Sequence, residues 1–192
     1  MDSNFQFWLQ YGLQHILSTN ALDHILYITA LCIAFNLKNY KKILVLITAF
    51  TIGHSITLLL TALNYININT SWVEFAIPLT IASTCVVNMI NHNKLKQPIL
   101  FQYSTALFFG FIHGMAYGAI SVSSLYSGSE AVLLVLAFNL GVELAQLLVV
   151  TIVLSMSYIV VTKLKLPNKY WVLCLSSIIL CYAIYLAIKN IP

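Results

Sequence analysis

Arginine is absent from this chain and charge of either sign is scarce: only 7% of its 192 residues are charged, nine of them lysine and five acidic. Soluble domains carry about a quarter charged residues, so a water-facing domain is excluded. The formal net charge of +4 argues nothing about nucleic acid, which is not expected as a partner; beside lipid, charge acts through its placement. Cys32, Cys85, Cys174 and Cys181 all fall in apolar runs, without metal-ligand spacing and with no extracellular loop in which to pair. That excludes a disulfide framework, and each is read as a small buried apolar residue, with Cys174 and Cys181 packing from one helical face. A basic n-region and a small-residue cleavage site are missing from MDSNFQFWLQ, so no removable signal peptide is expected. Low-complexity tracts and long linkers are missing too, so residues 1–192 are read as one transmembrane domain.

What the chain does have is apolar length. Hydrophobic residues make up 60% of it and the mean hydropathy is +0.91, values of an integral membrane protein embedded in a lipid bilayer. Apolar runs of about 20 residues, bounded by lysine, asparagine or proline, mark membrane-spanning helices. Six are predicted, at 20–37, 43–63, 71–91, 98–125, 130–161 and 170–189, giving an all-α six-helix transmembrane bundle. The segment from Phe5 to Ser18 has helical spacing of Phe5, Trp8, Leu9, Leu13 and Ile16 but is too short to span. It is expected as a short N-terminal interfacial helix or as a segment folded back into the bundle, with Thr19 or Asn20 capping the first span.

Lysines orient the bundle. Lys38, Lys41 and Lys42 follow the first span, Lys94 and Lys96 the third, and Lys163, Lys165 and Lys169 the fifth. The positive-inside rule makes those loops cytoplasmic and places both termini outside, with Lys189 on the opposite side. Gly110, Gly114 and Gly118 form a bare stripe on the fourth span for close helix approach, and Pro78 is expected to kink the third.

Against this apolar background stand ionisable groups that lipid disfavours: Asp23 and His24, His54, His113 and Glu143, with His15 just upstream. Each costs several kcal/mol unless a partner, ion or substrate compensates it. Counting from the lysine boundaries at 1.5 Å per residue, His54 lies roughly 18 Å and Asp23 and His113 about 22 Å above the cytoplasmic edge. Glu143 falls near or below the midplane of a core about 30 Å thick. Four helices thus bring such a group to a similar depth. Helical periodicity extends them into polar faces: Thr51, His54 and Ser55; His113, Tyr117 and Ser121; Asn139, Glu143 and Gln146. Thr51, Ser55 and Asn139 read as interhelical hydrogen-bonding glue, His92 as a solvated loop residue, and Glu74 as a group able to reach water. Asp23 and His24 are about 100° apart, so one faces the centre while the other braces a neighbour. Imidazole with one or two carboxylates suits divalent zinc, nickel, cobalt or iron, and the missing thiolate argues against monovalent copper. Proton relay uses the same groups and stays open.

The strings HILSTNALDHILY (15–27), TAFTIGHSITL (48–58), FGFIHGMAYG (109–118) and FNLGVELAQ (138–146) resemble the HupE/UreJ family of membrane proteins, in order and over nearly the whole chain. The chain looks like a compact branch of it: Ile16 follows His15 where the family pattern has proline, and Asn20 and Ala21 stand in its glycine region. The resemblance implies a bacterial inner-membrane nickel or cobalt permease, with an accessory role in hydrogenase or urease maturation. It implicates His15, Asp23, His24, His54, His113 and Glu143 in the metal.

Two functions compete. One is transport of a divalent transition-metal ion. The other is an intramembrane zinc-dependent hydrolase on a lipid-accessible substrate, with Glu143 or Asp23 moving the proton and Ser55 orienting water. A permease needs a path to the cytoplasmic side, whereas a catalytic zinc site needs a one-sided cavity. Below His54 come only Thr51 and Thr48, and beyond Gln146 only Thr151 and Ser155, which favours a one-sided site. A structural role for the polar layer is the third reading.

Overall fold

In lipid, backbone amides of an open chain find partners only within their own helix, and the architecture follows from that. The computed structural model describes residues 2–18, 21–62, 65–66, 69–91, 99–117 and 129–192. Among the described residues it is all helical, with α1 (Asp2–Leu17), α2 (Leu22–Cys32), α3 (Tyr40–Ala62), α4 (Thr70–Ile90), α5 (Ile99–Tyr117), α6 (Ser129–Ser157) and α7 (Asn168–Lys189). A 3-10 turn at Leu37–Asn39 leads into α3, and a π-helical turn at Tyr158–Lys163 prolongs α6. The Asn69 side chain caps α4 by accepting from the Ser71 amide at 3.0 Å. Pro78 is accommodated within α4, which is helical from Thr70 to Ile90.

Among the described residues, five helices are long and apolar enough to cross a membrane, at Leu37–Thr61, Thr70–Ile90, Ile99–Ala116, Val132–Lys163 and Asn168–Lys189. The expected first span is different. Among the described residues there, the α-helix covers only the 11 residues Leu22–Cys32, a rise of about 16 Å that does not cross a core of about 30 Å. The suggested caps Thr19 and Asn20, and Gly118 and Ser121 beyond α5, lie outside the described residues.

Of the two expectations for the N-terminal segment, α1 meets the second: it packs into the bundle against α6 rather than lying apart as an interfacial helix. Trp8, Gly12 and Ile16 form one stripe at four-residue spacing, and Trp8 and Ile16 are buried. A Cβ added at Gly12 would collide with the Phe138 carbonyl of α6, and one at Gly141 with the Leu9 carbonyl of α1. Both α1 and α2 lie along α6.

Three tight pairs make the bundle: α3 with α5, α1 with α6 and α4 with α7. In the first, Gly110 sits on the Phe50 carbonyl and Gly114 on that of His54, so both helices advance together and are parallel. In contrast, α3 and α6 are antiparallel: Thr51 donates to Gln146 Oε1 at 2.8 Å, and His54, further along α3, pairs with the earlier Asn139. Short α2 runs between the pairs, touching α4, α6 and α7, which is why His24, Tyr27, Ile28, Ala30, Leu31 and Cys32 are all buried. Asn88 of α4 fastens it by donating to the Ala30 carbonyl at 2.7 Å. Cys32 and Cys85 are buried as expected, but Cys174 and Cys181 are exposed, because their face of α7 points away from α4.

Candidate metal centre

Four helices deliver the histidines. His15 comes from the last turn of α1, His24 from the first turn of α2, His54 from the middle of α3 and His113 from near the end of α5. One ligand-capable atom from each of His15, His24 and His54 lies within 4.8 Å of the others. His24 is the hub: its ring centroid is 4.9 Å from that of His15, 5.9 Å from His54 and 5.2 Å from His113. An ion about 2.0–2.1 Å from each imidazole nitrogen would hold tetrahedral ligands about 3.3 Å apart, inside the span these atoms already occupy.

Each outer partner dictates a tautomer. His113 Nδ1 lies 2.8 Å from the Phe109 carbonyl oxygen, which only accepts, so Nδ1 carries the proton. His24 Nδ1 lies 3.0 Å from Asp23 Oδ1, and a carboxylate likewise accepts. Asn139 donates its amide to the Val135 carbonyl at 2.8 Å, which turns its oxygen toward His54 Nδ1 at 3.4 Å. In these three rings the Nε2 lone pair is therefore left free. The Nε2 atoms of His24, His54 and His113 are buried and have no hydrogen-bond partner among the described residues. An unsatisfied buried acceptor costs about 1–3 kcal/mol. A carboxylate, carbonyl or amide fixing Nδ1–H while Nε2 stays available is the arrangement that orients histidine for a metal. These donors fit a divalent transition ion.

Asp23 acts behind His24 rather than beside the other rings. Its Oδ1 also accepts the His24 amide at 2.9 Å, a favourable contact for an anion at a helix N-terminus. Replacing Asp23 with asparagine removes the charge that makes His24 a better ligand. Metal affinity, read by competition with a chelating dye, is expected to fall roughly 10–100-fold, while the metal-free protein loses only the about 0.3–1 kcal/mol of the helix-terminus contact.

Glu143 is half-buried on α6 and makes no hydrogen bond or ion pair with the histidines among the described residues. Asn139 and Gln146 of the same stripe face α3 instead. The Ser55 hydroxyl is committed to the Thr51 carbonyl at 2.7 Å. The side chain of Tyr117 lies outside the described residues.

A cavity of about 550 Å³ reaches the cluster, with His15, Asp23, His24 and His113 on its wall and Glu74, Lys189 and Asn190 toward the opposite end. On its other side the cluster rests on aromatic rings. Tyr27 stacks on Phe50 at 4.9 Å and meets Phe109 edge-on at 5.7 Å. Sequence reasoning missed this floor, although a signal was present: Phe50 and Phe109 each stand four positions before a histidine, and Tyr27 stands three after His24.

Long apolar helices around converging, braced imidazoles define an integral membrane protein with an intramembrane metal-competent site. Within that class the chain belongs to the HupE / UreJ protein family, which matches residues 1–190. No curated protein and no solved structure matches it.

Proposed function

We propose that the protein carries a divalent transition-metal ion, with nickel first and cobalt or zinc as related cargo, through the histidine cluster. The observation that carries this reading is the set of three buried Nε2 atoms that find no hydrogen-bond partner among the described residues, each on a ring whose Nδ1 is already held. Such atoms are costly unless something binds them. His15, His24, His54 and His113 supply the ligand set, and Asp23 holds negative charge behind it. Membership of a family linked to nickel and cobalt uptake agrees with an all-nitrogen set, since imidazole suits nickel, cobalt and zinc. Lysines at the start of α3 and after α6 assign that end to the cytoplasm, so the large cavity opens outward and receives the ion. Glu74 at its mouth adds a negative group on the way in. In a bacterial inner membrane the delivered ion would feed metalloenzyme maturation.

Nickel isotope uptake into vesicles reconstituted with purified protein tests this, alongside metal analysis of the same preparation. Uptake is expected for the wild type and at least about tenfold less for His54→Ala and His113→Ala, each removing a ligand. Stoichiometric zinc with no uptake would sink transport and favour the hydrolase.

A further inference from the structure

Two stretches of the chain repeat two others. Leu9, Gly12 and His15 of α1 have the spacing of Leu107, Gly110 and His113 of α5, and AFTIG (49–53) of α3 matches AFNLG (137–141) of α6. Their contacts repeat as well. Gly12 meets the Phe138 carbonyl and Val142 amide as Gly110 meets the Phe50 carbonyl and His54 amide; Gly141 meets Leu9 and Leu13 as Gly53 meets Leu107 and Phe111. The remaining pair matches in burial. Counted from the Trp-Val dipeptide near the start of each helix, buried Val73, Ile77, Thr80, Thr84 and Asn88 of α4 correspond to buried Val172, Ser176, Ile179, Ala183 and Ala187 of α7.

A twofold operation thus exchanges α1 with α5, α3 with α6 and α4 with α7. Since α3 and α6 are equivalent yet antiparallel, the axis lies across the helices, in the membrane plane. The two halves form an inverted repeat, with the histidines where they meet. In such repeats one half can take up the conformation of the other, closing access on one side and opening the equivalent route on the opposite side.

That equivalent route is visible in closed form. The operation carries Tyr182 and Leu186, on the wall of the large cavity, onto Ser83 and Val87. Ser83 and Val87 line a second cavity of about 80 Å³ in the lysine-rich half of the bundle, with Thr84, Gln102 and Thr105 as polar neighbours. The plug between it and the histidines is Tyr27, with Phe50 and Phe109, one turn from His24, His54 and His113 respectively. Ile77, on the open wall, corresponds to Ser176, whose buried hydroxyl has no hydrogen-bond partner among the described residues. We propose that the small cavity between α2, α3, α4 and α5 is the closed exit route for the ion, gated by Tyr27, Phe50 and Phe109 and opened when the two halves exchange conformations. This rests on the transport reading, and it supplies a polar path through the half of the bundle that looks apolar in sequence.

The test uses the full chain with Cys32, Cys85, Cys174 and Cys181 replaced by alanine, reconstituted in vesicles, and a membrane-impermeant thiol reagent applied from either face. Tyr182→Cys and Leu186→Cys are expected to react from one face, Ser83→Cys and Val87→Cys from the other, and added nickel to shift the two sets of rates in opposite directions. Ser83→Phe, which fills the small cavity, is expected to keep nickel affinity within about twofold yet lower uptake more than about tenfold, because it blocks passage without touching a ligand. Inert cysteines at positions 83 and 87 in vesicles that still take up nickel would overturn the exit route and leave transport standing. Both sets reacting together, with no reciprocity, would overturn conformational exchange in favour of a channel. Absence of uptake by the cysteine-free parent, when the wild type also shows none, would overturn transport and the exit route with it.

Discussion

Replacing His24 with alanine is expected to abolish metal binding, lowering affinity for nickel or zinc by at least roughly 100-fold, beyond the 10–100-fold typical of losing a residue behind a ligand. His24 is the ring that touches the other three, at centroid distances of 4.9, 5.9 and 5.2 Å, so its loss breaks the set at the hub. The same substitution removes the Asp23 contact and leaves a buried gap, so the metal-free protein should lose stability and each variant is compared with its own metal-free form. The decisive readout is the metal-dependent part of the melting temperature. A ligand at 100 times its dissociation constant stabilises the native state by about 2.7 kcal/mol, and that increment should vanish in His24→Ala while persisting in a His92→Ala control. An unchanged metal-induced shift in His24→Ala would refute the assignment of the cluster as a metal site.

The second large effect is steric. Gly110→Ala is expected to destabilise the protein by about 3 kcal/mol, the upper part of the usual overpacking range. In an exposed helix the same change would gain about 1 kcal/mol from propensity. Here the added Cβ meets the Phe50 carbonyl and the His54 amide, and backbone cannot swing aside as a flexible side chain can. The α3 and α5 helices must then separate, and they carry His54 and His113, so metal affinity should fall together with stability. Gly12→Ala should cost a similar amount through the matching α1 and α6 contact, without moving His54 from His113. Thermal unfolding of the two variants in detergent, scored beside dye-competition affinities, checks both; a neutral Gly110→Ala would show that the helix pair is looser than described.

Much of the centre was legible in the residues because lipid makes intramembrane charge conspicuous. His24, His54 and His113 stand out against their apolar surroundings, and their depth follows from counting residues along helices. Glu143 was equally conspicuous, yet among the described residues it makes no hydrogen bond or ion pair with the histidines, while Asn139 and Gln146 of its stripe bond to α3. His15 shows the converse: distance in sequence from His54 says nothing about distance across a glycine-to-backbone contact, and Gly12 brings α1 close enough to join the rings. The short α2 was unreadable for a related reason, since apolarity sets what can be buried in lipid but not where a buried helix breaks.

By itself the amino-acid sequence determined the solvent, the all-helical class, the lysine asymmetry and the identity of the braced imidazoles, all of which depend on composition and local periodicity. It also contained the repeated Leu-Gly-His and Ala-Phe-Gly spacings. Only the tertiary structure decided that these spacings make one twofold arrangement, that α1 is a wall of the bundle, and that the Nδ1 atoms of His24, His54 and His113 are held by Asp23, Asn139 and the Phe109 carbonyl. Those facts are relations between helices far apart in the chain, set by which glycine meets which carbonyl, and helical periodicity carries no information about that choice.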